Sequence, residues 1–169
     1  MIVLIGGGSR SGKSRYALEC ARAKGKPLAF IATAEARDEE MRARIDAHRR
    51  DRGDEFVTIE EPLELDLTLA DAVSRYRAIV VDCLTLWLSN LMLEQRPRDI
   101  ARETASMLRV GAEADAAVVL VTNEVGCGIV PENDLSRRFR DLAGAMNQRA
   151  AQAAAEVWWM AFGCPLRLK

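Results

Sequence analysis

The chain is 169 residues long, with 49% hydrophobic and 29% charged residues and a formal net charge of −1. One good core can be buried at that length, and no Pro/Gly/Ser-rich linker or block of like charge divides the chain, so a single domain over 1–169 is expected. The nearly balanced charge excludes a general electrostatic pull toward nucleic acid or an anionic membrane, and no apolar run approaches the ~20 residues of a membrane span.

The first apolar run, 2–5, leads into Gly7-Gly8-Ser9-Arg10-Ser11-Gly12-Lys13-Ser14, which fits the phosphate-loop pattern G-x-x-x-x-G-K-[ST]. A helix predicted over 13–24 completes the order of strand, glycine loop and helix that the pattern requires. Glycines let the backbone fold around an anion so that several N–H groups point inward, and the helix adds its positive N-terminal end. Lys13 would bridge the β- and γ-phosphates of a nucleotide, and the Ser14 hydroxyl would be a ligand of Mg²⁺. A chance glycine turn is the alternative, and the flanking strand and helix weigh against it.

Further along, a strand at 28–32 precedes a helix at 36–51, and a helix at 66–76 leads to a strand at 78–81. Helices at 84–94 and 98–112 lead to a strand at 117–121, and a helix at 134–155 leads to a last strand at 157–162. The strand-length runs are nearly continuous in apolar residues instead of alternating, which suits strands buried on both faces of a parallel sheet. The expected fold is therefore α/β, a doubly wound and mostly parallel sheet flanked by helices, of the P-loop NTPase-like (RecA-like) kind. In such sheets ligands lie beyond the carboxyl ends of the strands.

Three more strand ends then carry candidates. Thr33 follows Phe30-Ile31-Ala32 and offers a hydroxyl to a nucleotide or its metal shell. Asp82 follows Ala78-Ile79-Val80-Val81, the apolar run plus acid of a magnesium-holding position, with helix capping as the alternative. Thr122-Asn123-Glu124 follows the fourth run and fits either a phosphate-sensing role or a plain turn.

The one histidine, His48, shares a predicted helical face with Met41 and Ile45. A partly buried structural histidine is the ordinary reading. Arg44, Arg49, Arg50 and Arg52 nearby would instead depress its pKa, leave a ring nitrogen free as a nucleophile, and clamp phosphate oxygens. Asp46 and Asp51 could equally neutralise those arginines on a solvated face, so charge pattern leaves both readings open. Cys20, Cys83, Cys127 and Cys164 are far apart with no C-x-x-C pair, and no signal-peptide pattern precedes the first run. Free thiols in a reducing cytoplasm are expected.

Taken together, these blocks resemble the bifunctional adenosylcobinamide kinase and adenosylcobinamide-phosphate guanylyltransferase family of cobalamin biosynthesis. The resemblance rests on the 7–15 loop, on Ile31-Ala32-Thr33-Ala34 with Asp38-Glu39-Glu40-Met41, Arg44-Ile45 and His48, and on Thr58-Ile59-Glu60. Val121-Thr122-Asn123-Glu124-Val125-Gly126 with Gly128-Ile129-Val130-Pro131-Glu132-Asn133 extends it, as do parts of 138–158.

The resemblance implies phosphorylation of adenosylcobinamide by ATP or GTP, then transfer of GMP from GTP to the new phosphate, giving adenosylcobinamide-GDP. It makes His48 the residue that accepts GMP. It assigns Gly7 to Ser14, Ala32, Thr33, Ala34, Arg49, Arg50, Asp51, Arg52, Glu60 and Asp82 to the nucleotide shell. A small-molecule corrinoid is the implied substrate, and a homo-oligomer, a trimer, the implied assembly. Two other readings remain at this point: a P-loop small-molecule kinase without nucleotidyl transfer, and a nucleotide-dependent switch or assembly protein.

Overall fold

A computed structural model describes residues 1–35, 39, 49, 50 and 53–169. Seven strands, β1 (Ile2–Gly7), β2 (Leu28–Ala32), β3 (Phe56–Glu60), β4 (Ala78–Asp82), β5 (Ala117–Val121), β6 (Glu156–Ala161) and β7 (Cys164–Arg167), form one sheet. Their order is β3-β2-β4-β5-β1-β6-β7. All neighbouring pairs from β3 to β6 are parallel, and only β7 runs antiparallel, against β6. The described α-helices are α1 (Lys13–Arg22), α2 (Leu65–Ala72), α3 (Leu84–Leu93), α4 (Ile100–Glu113) and α5 (Asp134–Ala153), with a 3-10 turn at Gly53–Glu55.

Strand alternation divides the core between the two faces of the sheet. Ile2, Leu4, Ile31, Ile79, Val81, Val118 and Leu120 pack with Leu69, Leu84, Trp87, Leu88, Met107 and Met146 from α2 to α5. Val3, Ile5, Phe30, Val80, Val119 and Val121 face the other way, onto Ala17, Leu18 and Ala21 of α1. Because both faces are covered, the central strands need apolar residues at every position, which is why their sequences do not alternate. β2 and β5 are buried throughout.

Helix starts are marked by side chains that satisfy free N–H groups. Asp99 accepts a hydrogen bond from the Arg102 N–H at 3.1 Å to open α4, and Asn133 accepts from the Ser136 N–H at 2.8 Å to open α5. Glu61 does the same for the turn before α2, its carboxylate accepting from the Leu63 and Glu64 N–H groups at 2.9 and 2.8 Å.

The doubly wound α/β architecture is as the sequence predicts, and β2 and β5 have the predicted bounds. Two strands were not anticipated. β3 is an edge strand with only Phe56 buried, and β7 is exposed along its whole length. The last predicted strand also ends one residue early, at Ala161, because Phe162 belongs to the turn into β7. The helix predicted over 36–51, including His48, lies outside the described residues except for Glu39, Arg49 and Arg50, which are helical. Asp51 and Arg52 lie outside them as well. No helix among the described residues is long and apolar enough to cross a membrane.

Candidate active site

Parallel pairing brings the carboxyl ends of six strands to one edge of the sheet. Register aligns Glu60, Ala32, Asp82 and Val121 across β3, β2, β4 and β5, and Val121 in turn with Ile5 of β1. Gly7, two residues further along β1, begins the loop that leads into α1.

The loop needs its glycines for distinct reasons. Gly7 has φ +148°, and a Cβ there would fall 2.6 Å from the Met160 carbonyl oxygen of the adjacent strand. Gly12, the residue before α1, sits in the left-handed region at φ +94°. Arg10 adopts φ +53° at the exposed outer turn between them. Two neighbours fasten the loop: the Glu124 N–H donates to the Gly7 carbonyl at 3.1 Å, and the Gly163 N–H donates to the Ser11 carbonyl at 3.1 Å. The segment after β5 and the β6–β7 turn thus form walls on either side of it.

Lys13, the first residue of α1, is buried, and its Nζ donates to the Gly8 carbonyl at 2.6 Å and toward Ser11 Oγ at 3.5 Å. The ammonium therefore closes the loop back on itself, where a phosphate oxygen would compete for it. Burial lowers its pKa, and the charge of Asp82 works against that shift. The carboxylate at the end of β4 is accordingly within electrostatic reach of the loop lysine. Ser9 and Arg10 are exposed, and Ser14 is half-buried at the start of α1. Ser14 and Asp82 are oxygen donors of the hard kind that Mg²⁺ prefers, and they flank the phosphate cradle. No group of three His, Cys, Asp or Glu side chains forms a metal cluster among the described residues, so phosphate oxygens and water would complete any magnesium shell here.

Thr33 is fully buried. Its hydroxyl accepts from the Cys83 N–H at 2.8 Å and donates to the Cys83 carbonyl at 2.8 Å. Asn90 of α3 reaches the same junction, its Nδ2 donating to the Thr33 carbonyl at 2.8 Å and to the Pro62 carbonyl at 3.1 Å. On the other side Asn123 Nδ2 donates to Thr85 Oγ1 at 2.7 Å, and Thr85 Oγ1 lies 3.1 Å from Cys83 Sγ. Thr122 Oγ1 donates to Asn147 Oδ1 at 2.6 Å. A continuous polar seam therefore ties the ends of β2, β4 and β5 together immediately behind Asp82. Burial, reinforced by the Asp82 charge, pushes the Cys83 thiol up to about 11, so it is a neutral member of that seam.

Sequence reading did not single out Cys83, Thr85 or Asn90 for the site. The one available signal was a buried-type position occupied by asparagine in the otherwise apolar helix 84–93.

Glu60 and Arg49 form an ion pair at the far end of the row, both about half exposed. Four strand spacings separate β3 from β1, about 19 Å at ~4.8 Å each. The expected nucleotide shell thus divides into a cluster at the loop and a second cluster around Arg49 and Glu60 on the same sheet edge. Arg50 is exposed, Ala34 is half-buried just after β2, and both stand on the Glu60 side of the row.

A parallel sheet with a glycine loop and buried lysine at the end of one strand, and an acid at the end of another, defines a P-loop nucleotide-binding protein. Two solved structures share the fold. One is an ATPase domain, with a TM-score of 0.55 and 13% identity, covering 94% of this chain and 68% of that one. The other is the RadB recombinase, with a TM-score of 0.52 and 14% identity, covering 94% and 73%.

Sequence similarity is more particular, since the family model for cobinamide kinase / cobinamide phosphate guanyltransferase (CobU) matches residues 3–168. The chain belongs to that family and is an enzyme of its kinase and guanylyltransferase type. The bifunctional adenosylcobalamin biosynthesis protein CobP of Pseudomonas aeruginosa is 43% identical over 166 residues, 98% of this chain and 96% of that protein. The proteins of the same description called CobU from Salmonella typhimurium and Escherichia coli are 40% and 37% identical over the whole of both chains.

Proposed function

We propose that this enzyme phosphorylates adenosylcobinamide with ATP or GTP and then transfers GMP from GTP to the resulting phosphate by way of His48. The observation that carries the nucleotide part is the closed loop over Lys13, with Asp82 in electrostatic reach of the lysine. In the kinase step the substrate hydroxyl attacks the γ-phosphorus, the bond to the β-phosphate oxygen breaks, and the hydroxyl proton leaves to solvent or a base. Loop N–H groups and Lys13 hold the growing charge on the phosphate oxygens. Mg²⁺, held by Ser14 and Asp82, would neutralise further charge on those oxygens.

In the second step a neutral ring nitrogen of His48 attacks the α-phosphorus of GTP and pyrophosphate leaves. A phosphate oxygen of adenosylcobinamide phosphate then attacks the same phosphorus, the P–N bond breaks, and adenosylcobinamide-GDP forms. Support comes from the family membership and from Arg49, which follows His48 in the chain and pairs with Glu60 on the same sheet edge as the loop. Arg50, Asp51 and Arg52 follow in the chain and are assigned to this second cluster, and Ala32, Thr33 and Ala34 to the edge between the two. We further assign the enzyme to the cytoplasm as a single-domain homo-oligomer, a trimer, with a corrinoid substrate and no nucleic-acid partner.

Incubation with α-labelled GTP and Mg²⁺ tests the histidine. The label should be acid-labile and alkali-stable, map to the peptide containing His48, and vanish in His48→Asn while phosphorylation persists. Labelling retained in that variant, or an acid-stable adduct elsewhere, leaves a plain P-loop kinase as the better reading.

A further inference from the structure

Ala161 pairs with Cys164 across the β6–β7 hairpin, so Phe162 and Gly163 are its two turn residues. Their φ angles are +53° and +81°. A two-residue turn of this hand matches the twist of the strands, and its first position ordinarily holds asparagine, aspartate or glycine. A phenylalanine there is a backbone outlier for a bulky residue. No packing compensates it, because Phe162 is fully exposed, at 102%.

Everything around that ring is held firmly. The Gly163 N–H donates to the Ser11 carbonyl, and a Cβ on Gly12 would lie 3.3 Å from Gly163 Cα, so the turn rests directly against the phosphate loop. Trp158 of β6 packs edge-on to Tyr16 of α1 with centroids 5.5 Å apart, and the Arg167 guanidinium lies over the Trp158 ring at 5.7 Å. Arg15 of α1 reaches the same turn, its Nη2 standing 3.7 Å from where a Cβ on Gly163 would be. The hairpin is thus a rigid arm, braced on α1 and fastened to the loop, that ends in one strained and uncovered aromatic ring. It flanks the loop on the side away from Asp82, since β6 and β5 lie on opposite sides of β1. An uncompensated outlier beside a binding loop points to a ligand that supplies the missing contact.

We propose that Phe162 is the stacking platform for the nucleobase of the triphosphate held in the 7–14 loop, with Arg15 beside it facing the ribose and α-phosphate. This rests on the nucleotide reading of the loop. Because every base offers a π-face, such a platform accepts adenine and guanine alike and sets nucleotide affinity without selecting the base.

The experiment compares equilibrium binding of GTP, ATP and inorganic tripolyphosphate by the full chain with Mg²⁺, in wild type, Phe162→Asn and Phe162→Trp. Asparagine tolerates the left-handed turn, so Phe162→Asn should melt at or above the wild-type temperature. It should bind GTP and ATP about tenfold more weakly, the effect of losing one base stack, while tripolyphosphate affinity stays unchanged. Phe162→Trp should restore both nucleotides, with quenching of the new indole on binding.

Unchanged nucleotide affinity in Phe162→Asn overturns the proposal alone. Equal weakening of all three ligands assigns the ring to loop support and overturns it too. A change confined to the corrinoid KM or to the oligomeric state would give the ring to those partners instead. Failure of wild type to bind any of the three ligands overturns the loop reading and this proposal together.

Discussion

Replacing Thr33 by valine keeps the shape of the side chain and removes only its hydroxyl, so the consequence can be worked out from two hydrogen bonds. The hydroxyl accepts from the Cys83 N–H and donates to the Cys83 carbonyl, both at 2.8 Å and both inside the protein. Cys83 is the residue before α3, and its carbonyl also accepts the Trp87 N–H at 3.1 Å. In the variant that oxygen therefore keeps a partner and loses about 0.5–1.5 kcal/mol, whereas the N–H is orphaned at about 1–3 kcal/mol. The added methyl returns about 0.8 kcal/mol of burial. A net loss of about 2 kcal/mol follows, which for a chain of this size lowers Tm by about 4–8 °C.

Because Cys83 directly follows Asp82, the same change should loosen the carboxylate and raise the Mg²⁺ concentration needed for half-maximal kinase rate several-fold. Thr33→Ser keeps both bonds. It should restore the magnesium dependence while recovering only part of the Tm, since a buried methyl is lost. Scanning calorimetry and a magnesium titration of the phosphorylation rate decide the matter. A Thr33→Val protein that melts within about 1 °C of wild type, well inside the expected shift, with an unaltered magnesium curve, would refute the view that this hydroxyl organises the end of β4.

Lys13→Ala removes the buried ammonium that closes the loop, and both phosphorylation and guanylyl transfer should fall by about 100-fold or more at saturating nucleotide. Full guanylyl transfer by that variant would mean that the Arg49 and Glu60 cluster works without the loop. Asp82→Asn keeps the shape but deletes the charge, so the Mg²⁺ requirement should rise and the Lys13 pKa should fall further, because the interaction opposing its burial shift is gone. An unchanged magnesium titration would return Asp82 to a helix-capping role.

All four cysteines are free. At about pH 8 iodoacetamide should modify exposed Cys127 and Cys164 promptly and spare buried Cys83, whose thiol is pushed up to about 11. Between its ordinary 9.0 and that value the folded state keeps a proton that the unfolded chain releases, so stability should fall as pH rises through this window. Cys83→Ser should flatten that alkaline slope, and denaturant melts at about pH 8, 9 and 10 would measure it.

Local chemistry was legible without any structure. The loop 7–14 could be read because its glycines and lysine answer to backbone and charge constraints within eight residues. β2, β4 and β5 could be read because burial on both faces demands unbroken apolar runs. β3 escaped notice because an edge strand shows polar residues to water, as Thr58 and Glu60 do beside buried Phe56. β7 escaped because Pro165 and four exposed positions resemble a loop, although proline is at home on an edge strand.

What the sequence determined by itself, then, was the kind of element at each place and the phosphate-binding chemistry, since both depend on neighbours in the chain. Tertiary structure alone decided that Thr33, Cys83, Asn90 and Asn123 meet behind Asp82, that Gly163 leans on Ser11, and that Glu60 stands four strands from the loop. Those relations join residues far apart in the chain. They follow from the order β3-β2-β4-β5-β1-β6-β7, which is set by how the crossovers pack helices over the whole sheet and which no local pattern encodes.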